Sequence, residues 1–476
     1  MANSQLLRAG LALLAAATLF GCGGSSSTPS SGVAPLPPLA RTGAVGIILT
    51  DAADSRWDRA LGTITSIELL SDDGNVSLFE GEETIDFLDL ESYSELFWIA
   101  AGVPVGTYEK IRLRLSRLEL QSLDAEGAVV ESVLTRLVAN GKIDLNPRGG
   151  FTVVGDETLI VQLDVDMKKS LKIVEAGASG NVIVRPVVFV KILGADPLQR
   201  FTRVHGVVRE ISEDGFVLCQ TRLVSSHDDA EELRHCLDVM LDGEAGIFDP
   251  AAMPAGVDAI QPDVELTAIG FVSRLAGERA SMSSEDRRIG DIGLLAHVVQ
   301  IGDLGNYGRH PGTATSAVGD DSRFGLDPDT GELGAGLLQQ GTKIANLQAE
   351  FVGPDAIQAG VSGVFEGAAD TAEPSLLRAS FVVLDLDEPV DVLAGLIQEI
   401  DLDTETLVVT VEEVGDRCVS ADGATIYRVT ETEDALTTEE IVLADLEPGL
   451  RAEAFGTDGA EGCFAARVIF ATEPVE

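Results

Sequence analysis

The chain has 476 residues, with 33 Lys and Arg against 78 Asp and Glu, a formal charge of -45 and a pI near 4.2. At roughly 100 to 200 residues per domain this length predicts three or four domains, and the charge repels phosphate backbones, which argues against nucleic acid as a partner. A hydrophobic content of 45% with 50 glycines and 18 prolines suits short strands joined by turns, so the expected class is all-β.

The first segment is a targeting signal. Arg8 and the terminal amine supply positive charge, and Ala9 to Phe20 ("AGLALLAAATLF") is an apolar run of twelve residues. A helical span needs about 20 residues, so this run is too short to cross a bilayer. Leu19-Phe20-Gly21-Cys22 resembles the bacterial lipobox, with Phe20 where a smaller residue is usual. The resemblance implies that residues 1–21 are a signal peptide cut before Cys22, whose thiol carries a diacylglyceryl group and whose new amine can be acylated. Two or three acyl chains anchor stably where one does not. Gly23 stands where many inner-membrane lipoproteins have Asp, which points to the outer membrane. The alternative is a secreted protein cut at a nearby small residue, with Cys22 left as a free thiol. Residues 22–42 are rich in Gly, Ser and Pro and read as a tether, on the order of 25 Å long as a coil.

The first folded domain is expected over 43–196. Its pieces include "GAVGIILTDAADSRWDRALGTITSIELL", "GVPVGTYEKIRLRLSRLEL" and "LIVQLDVDMKKSLKI". Together they resemble a bacterial lipoprotein domain known only as a domain of unknown function, whose signature begins with a strand and Leu-Thr-Asp-Ala-Pro. Leu49-Thr50-Asp51-Ala52 match it, and Ala53 replaces the proline. The resemblance implies a β-sandwich and brings no activity with it. Helix is expected only in short pieces, Glu91 to Ala101 and Asp229 to His235.

The remainder contains a repeat. "PDVELTAIG" from Pro262 aligns without a gap on "PGLRAEAFG" from Pro448, and "GVVREISEDGFVL" from Gly206 on "GLIQEIDLDTETLVV" from Gly395. Both copies end in an apolar strand, "GLLAHVVQI" from Gly293 and "CFAARVIF" from Cys463. A fainter copy runs through "GTATSAVGDDSRFGL", "GTKIANL", "VSGVFEG" and "LLRASFVVLD". Three units are therefore expected, at 197–303, 304–388 and 389–476, the middle one divergent. They resemble a second bacterial family of unknown function, read as small closed β-barrels of the oligonucleotide- and oligosaccharide-binding type.

With Cys22 set aside, four cysteines remain, an even number suited to an exported protein. Cys219 and Cys236 bracket a polar stretch and Cys418 and Cys463 lie near the end, so two disulfides are expected. The rival for the first pair is a metal site from His227, His235 and Cys236, whose spacing fits no standard zinc pattern. Asp327 and Asp329 in "DPDTGEL" imitate the start of a calcium loop, but Glu332 stands where that loop needs glycine and Leu338 where it closes on Glu. A hairpin turn is the better reading, and Asp401 and Asp403 are expected at the equivalent turn of the last unit. No cofactor is expected, with calcium the one candidate.

Asp164 and Asp166 share a strand face and can be an acid–base pair or solvated carboxylates beside Lys168 and Lys169. Asp51 is read as structural, capping a turn. No Gly-x-Ser-x-Gly, no Ser-x-x-Lys and no phosphate-binding glycine loop occurs in the sequence. Trp57 is the best candidate for an exposed aromatic that could stack on a sugar, against packing on the sandwich edge; Trp98 and the four tyrosines are expected to fill cores. The leading expectation is a non-catalytic binding or structural protein of the bacterial envelope, its partners the membrane through the anchor and an envelope or extracellular component. Two alternatives stand beside it, a carbohydrate- or surface-polymer-binding lipoprotein and a hydrolase with an interdomain site.

Overall fold

The computed structural model describes residues 41–52, 57–90, 94–124, 128–147, 149–166, 174–175, 182–184, 187–193, 200–220, 236–274, 292–329, 331–386, 391–412, 414–431, 436–459 and 462–473. Among them the chain is all-β, its strands joined by turns and single 3-10 turns. Cys22 and the tether, and the segment Asp229 to His235, lie outside the described residues.

The N-terminal domain is two packed sheets. Its first sheet sets β1 (Thr42–Ala52) between β4 (Ser94–Pro104), antiparallel, and β8 (Thr158–Asp166), parallel, with β9 (Val187–Leu193) beyond β8. The second orders β7 (Lys142–Asn146), β5 (Lys110–Leu123), β2 (Arg59–Ser71) and β3 (Gly74–Asp86), with β6 (Val129–Leu134) also on β5. Alternate residues meet in the middle: Val45, Ile47 and Leu49 face Ile64, Ile67, Leu113 and Leu115 in one buried cluster.

Within the first sheet β1 is buried on both faces, which explains why it reads as an unbroken apolar run. Ile48 points away from the sandwich and, with Leu96, Ile99 and Ile160, joins the core of the next domain. The same cause corrects the helix expected over Glu91 to Ala101. Residues 94–104 are strand β4, and "LFWIAA" is apolar at every step because both of its faces are covered, a pattern that periodicity does not distinguish from a short buried helix.

The next three units share one circuit. In barrel 1, β10 (Thr202–Ser212), β11 (Gly215–Gln220), β12 (Cys236–Phe248), β14 (Ile292–Ile301) and β13 (Glu265–Arg274) follow one another around the wall, and β13 returns to β10. Only β12 and β14, the third and fifth strands, run parallel. Barrel 2 repeats this with β15 (Gly308–Ala314), β16 (Arg323–Pro328), β17 (Ala335–Asn346), β19 (Leu376–Asp385) and β18 (Ser362–Ala369). Barrel 3 uses β20 (Asp391–Asp401), β21 (Thr406–Val411), β22 (Gly415–Ser420), β26 (Phe464–Thr472) and β25 (Arg451–Asp458). Its third strand comes in two halves, β22 and then β23 (Thr425–Glu431), both parallel to β26.

The aligned sequence fragments now have physical reasons. Between the third and fourth strands each barrel makes one 3-10 turn followed by a buried aliphatic plug: Ile260, Ile357 and Leu446. Equivalent backbone bonds hold the three plugs, Asp263 to Val208, Gly360 to Ala314 and Gly449 to Ile397. The last glycine of "PDVELTAIG", "VSGVFEG" and "PGLRAEAFG" sits at a bulge in the fourth strand of each barrel.

Two elements weld the barrels to the sandwich. β10 pairs in parallel with β4 through Thr202 opposite Ser94, and Ser94 Oγ donates to the Phe201 carbonyl at 3.0 Å. Barrel 3 adds β24 (Leu436–Ile441), which forms a hairpin with β23 and pairs in parallel with β7, so the second sheet of the sandwich runs on into barrel 3.

Both expected disulfides are present. Cys219 and Cys236 face each other on β11 and β12, and Cys418 of β22 reaches Cys463, just ahead of β26. A Cys219→Ser/Cys236→Ser double variant should lose about 3 kcal/mol of stability and a Cys418→Ser/Cys463→Ser variant about 4 kcal/mol, because the longer loop constrains the unfolded chain more. Urea unfolding of the two variants checks the order.

Candidate functional site

Barrels 1 and 2 pack face to face. Phe201, Phe248, Ile269 and Val298 of the first meet Ala345, Phe381 and Val383 of the second in a buried apolar cluster. Gln300 donates to Ser380 Oγ at 2.9 Å, both fully buried, and Arg203 pairs with Glu366 at 2.7 Å. The third strands kink where they meet: β12 loses register with its parallel neighbour between Leu241 and Gly246, and β17 between Leu338 and Lys343. A Cβ on Gly246 would lie 2.1 Å from the Gly341 carbonyl oxygen, so only glycine lets the kinks touch backbone to backbone.

The two kinks open a cleft of about 400 Å³, within the usual range of small-molecule sites, about 300–1,000 Å³. From barrel 1 it receives Asp242 and Glu244 on the β12 kink and His297 on β14; from barrel 2 it receives Thr342, Lys343 and Ile344, then Phe351, Val352 and Pro354 on the connection that follows β17. The Asp242 carboxylate accepts the Glu244 backbone N–H at 2.9 Å, which fixes the kink. His297 is 9% exposed, its Nδ1 is 3.8 Å from Asp242 Oδ1, and its ring stands edge-on to Phe351 at 4.9 Å. Burial pushes the imidazole below its ordinary pKa; nearby Lys343 adds to this and Asp242 opposes it. Phe351 is 45% exposed, with the Lys343 ammonium 5.9 Å over its ring.

The cleft presents carboxylate acceptors, an ammonium, an imidazole and an aromatic face, but no free hydroxyl. Thr342, its one hydroxyl-bearing lining residue, donates to the Ala379 carbonyl at 2.7 Å and accepts from the Gln339 N–H at 2.8 Å. A second hollow, of about 440 Å³, lies beside β5 and is lined by Ser116, Arg117, Leu134, Thr135, Leu137 and Asn140. Its one ionisable group, Arg117, is committed to Glu119.

The residues singled out from sequence lie elsewhere. With Cys236 oxidised, its sulfur is not available to the rival metal site, and His227 and His235 lie outside the described residues. Asp327 lies near the end of β16 opposite Thr313, and Asp329 follows in the connection to β17, which pairs antiparallel with β16. Burial raises the Asp329 pKa, and Asp58 of the sandwich and Asp327 add to the rise. Asp401 and Asp403 correct an expectation: they occupy the turn between the first and second strands of barrel 3, whereas Asp327 and Asp329 lie between the second and third of barrel 2. There Asp401 accepts the N–H groups of Asp403 and Thr404, which lowers its pKa. Among the described residues no three His, Cys, Asp or Glu are grouped to hold a metal ion.

Asp164 is half-buried on β8, and the side chains of Asp166, Lys168, Lys169 and Asp51 lie outside the described residues. Trp57 packs half-buried against the sandwich core, and Trp98 stands edge-on to Phe79 at 5.1 Å. The sequence carries one signal for the cleft residues: "MLDGEAGIF" and "LQQGTKIAN" each break an apolar third strand with polar residues and glycine at the same place.

Residues 42–186 match a family described as Domain of unknown function (DUF4382). The match ends before barrel 1, so the cleft lies wholly outside it. No curated protein matches the chain.

Proposed function

We propose that the chain is a lipid-anchored, non-catalytic binding protein of the bacterial cell envelope, and that it binds through the cleft between barrels 1 and 2. The supporting observation is that acceptors, donors and an aromatic face converge there while the one lining hydroxyl is committed. His297 and Asp242, 3.8 Å apart, could activate a hydroxyl or thiol, but the lining has no thiol and its one hydroxyl is committed to the Ala379 carbonyl. The lipobox-like Leu19-Phe20-Gly21-Cys22 and the Gly/Ser/Pro tether support the anchored part of the reading. Acyl chains on Cys22 hold the chain at the membrane, and the tether lets the body stand clear of lipid headgroups.

The test is fractionation of cells expressing the full chain. Cys22→Ser should move essentially all of the protein from the pelleted membranes to the soluble fraction, and retention in the pellet would overturn the anchored reading. Incubation with chromogenic ester and glycoside substrates should give no release above the buffer rate, and release would overturn the non-catalytic reading.

A further inference from the structure

The cleft's chemistry narrows its ligand. Asp242 and Glu244 set two carboxylates against the single ammonium of Lys343, inside a chain of formal charge -45, so a phosphate, sulfate or carboxylate ligand is repelled. A bare cation or polyamine fares poorly too, because the Lys343 ammonium repels it and, among the described residues, no three His, Cys, Asp or Glu are grouped to hold a metal ion. What remains is a neutral molecule that needs acceptors and donors together and presents an apolar face. A pyranose ring does so: its hydroxyls point outward round the rim and its axial C–H groups gather on one face.

Resting on the binding reading above, we propose that this cleft is a saccharide subsite in which a neutral sugar ring stacks on Phe351 while Asp242, Glu244 and Lys343 hydrogen-bond its hydroxyls. Phe351 is supported at its edge by His297 at 4.9 Å and Phe201 at 5.2 Å, so the platform is held rigidly while nearly half of its surface is open. Asp242 and Glu244 sit on a kink locked by the Asp242 turn and by the Gly246–Gly341 contact, so little ordering is left to be done on binding. Lys343, on a flexible four-carbon stem, swings off the ring as the sugar enters and donates to it. The site belongs to the seam between two barrels, so neither barrel alone contains it.

The test uses the full chain in detergent with cellobiose, lactose and diacetylchitobiose at millimolar concentration, read by saturation-transfer NMR. Transfer to the ring C–H protons of at least one sugar is expected. Phe351→Ala should weaken that sugar's binding about tenfold, as loss of a stacking partner does. Phe351→Trp should retain binding, and an Asp242→Asn/Glu244→Gln variant should weaken it, with melting midpoints confirming that each variant is folded. No transfer to any of the three sugars, or transfer unchanged in Phe351→Ala, overturns the subsite. Cleavage of a bound disaccharide in the same spectra would support the subsite and overturn the non-catalytic reading. Conversely, an anchored chain that binds envelope material but none of the sugars overturns the subsite and leaves that reading standing.

Discussion

Glu366→Ala is expected to destabilise the folded chain by about 3–5 kcal/mol, because it removes the carboxylate that neutralises a buried guanidinium. The Glu366 side chain is 1% exposed and that of Arg203 7%, and they meet at 2.7 Å across the seam between barrels 1 and 2. Taking both charges out of water is costly, and their attraction offsets that cost only while both are present. The expected readout is a lower urea midpoint for the whole barrel 1–barrel 2 pair. Arg203→Met/Glu366→Leu should recover most of the loss, since the double variant leaves no charge behind; if the double is as unstable as the single, the pair is not what holds the seam. A second readout follows at His310. Burial lowers its pKa and Glu366 opposes the shift, so in Glu366→Ala the imidazole should titrate lower still. A histidine with a depressed folded pKa subtracts stability as pH falls below its unfolded value, so the variant should also be the more acid-sensitive of the two.

That seam marks the limit of what the sequence makes legible. The sandwich strand "GAVGIILTDA", the pairing of Cys219 with Cys236 and of Cys418 with Cys463, and the aligned first, second, fourth and fifth strands of the barrels are local or pairwise patterns, and periodicity or parity exposes them. Other features depend on what a strand is packed against. "LFWIAA" looks helical until barrel 1 is known to cover the far face of β4, and Trp57 looks exposed until the sandwich core is placed beside it. The cleft is the extreme case. Asp242 and Lys343 lie a hundred residues apart and come together only because two barrels dock face to face through their kinked third strands. Each kink reads alone as an interrupted strand, and no composition or spacing rule says that the two interruptions touch. Asp327 and Asp401 illustrate the converse: both fit an acidic-turn pattern, and the topology puts them in different turns.

Alanine at the bulge glycine of any barrel should be severely destabilising, by about 3 kcal/mol or more, since the clash is with backbone that cannot rotate away. A Cβ would lie 1.9 Å from the Leu295 carbonyl oxygen at Gly270, 2.0 Å from that of Arg378 at Gly367 and 1.9 Å from that of Ala465 at Gly456. In each case the oxygen belongs to the fifth strand, so relief requires pushing the fourth and fifth strands apart at the bulge. Gly243→Ala is the control: a Cβ there meets nothing within 4 Å, and its melting midpoint should stay near that of the parent. The three positions are not equivalent for the cleft. Leu295 is two residues before His297 on β14, so Gly270→Ala displaces a strand that lines the cleft, whereas Gly456→Ala strains barrel 3 alone. Calorimetry should therefore show both variants melting early, while binding measured well below those midpoints falls in Gly270→Ala and is kept in Gly456→Ala. Equal loss of binding in both would mean that the barrels act as one cooperative unit, with barrel 3 supporting the cleft through the shared sandwich sheets.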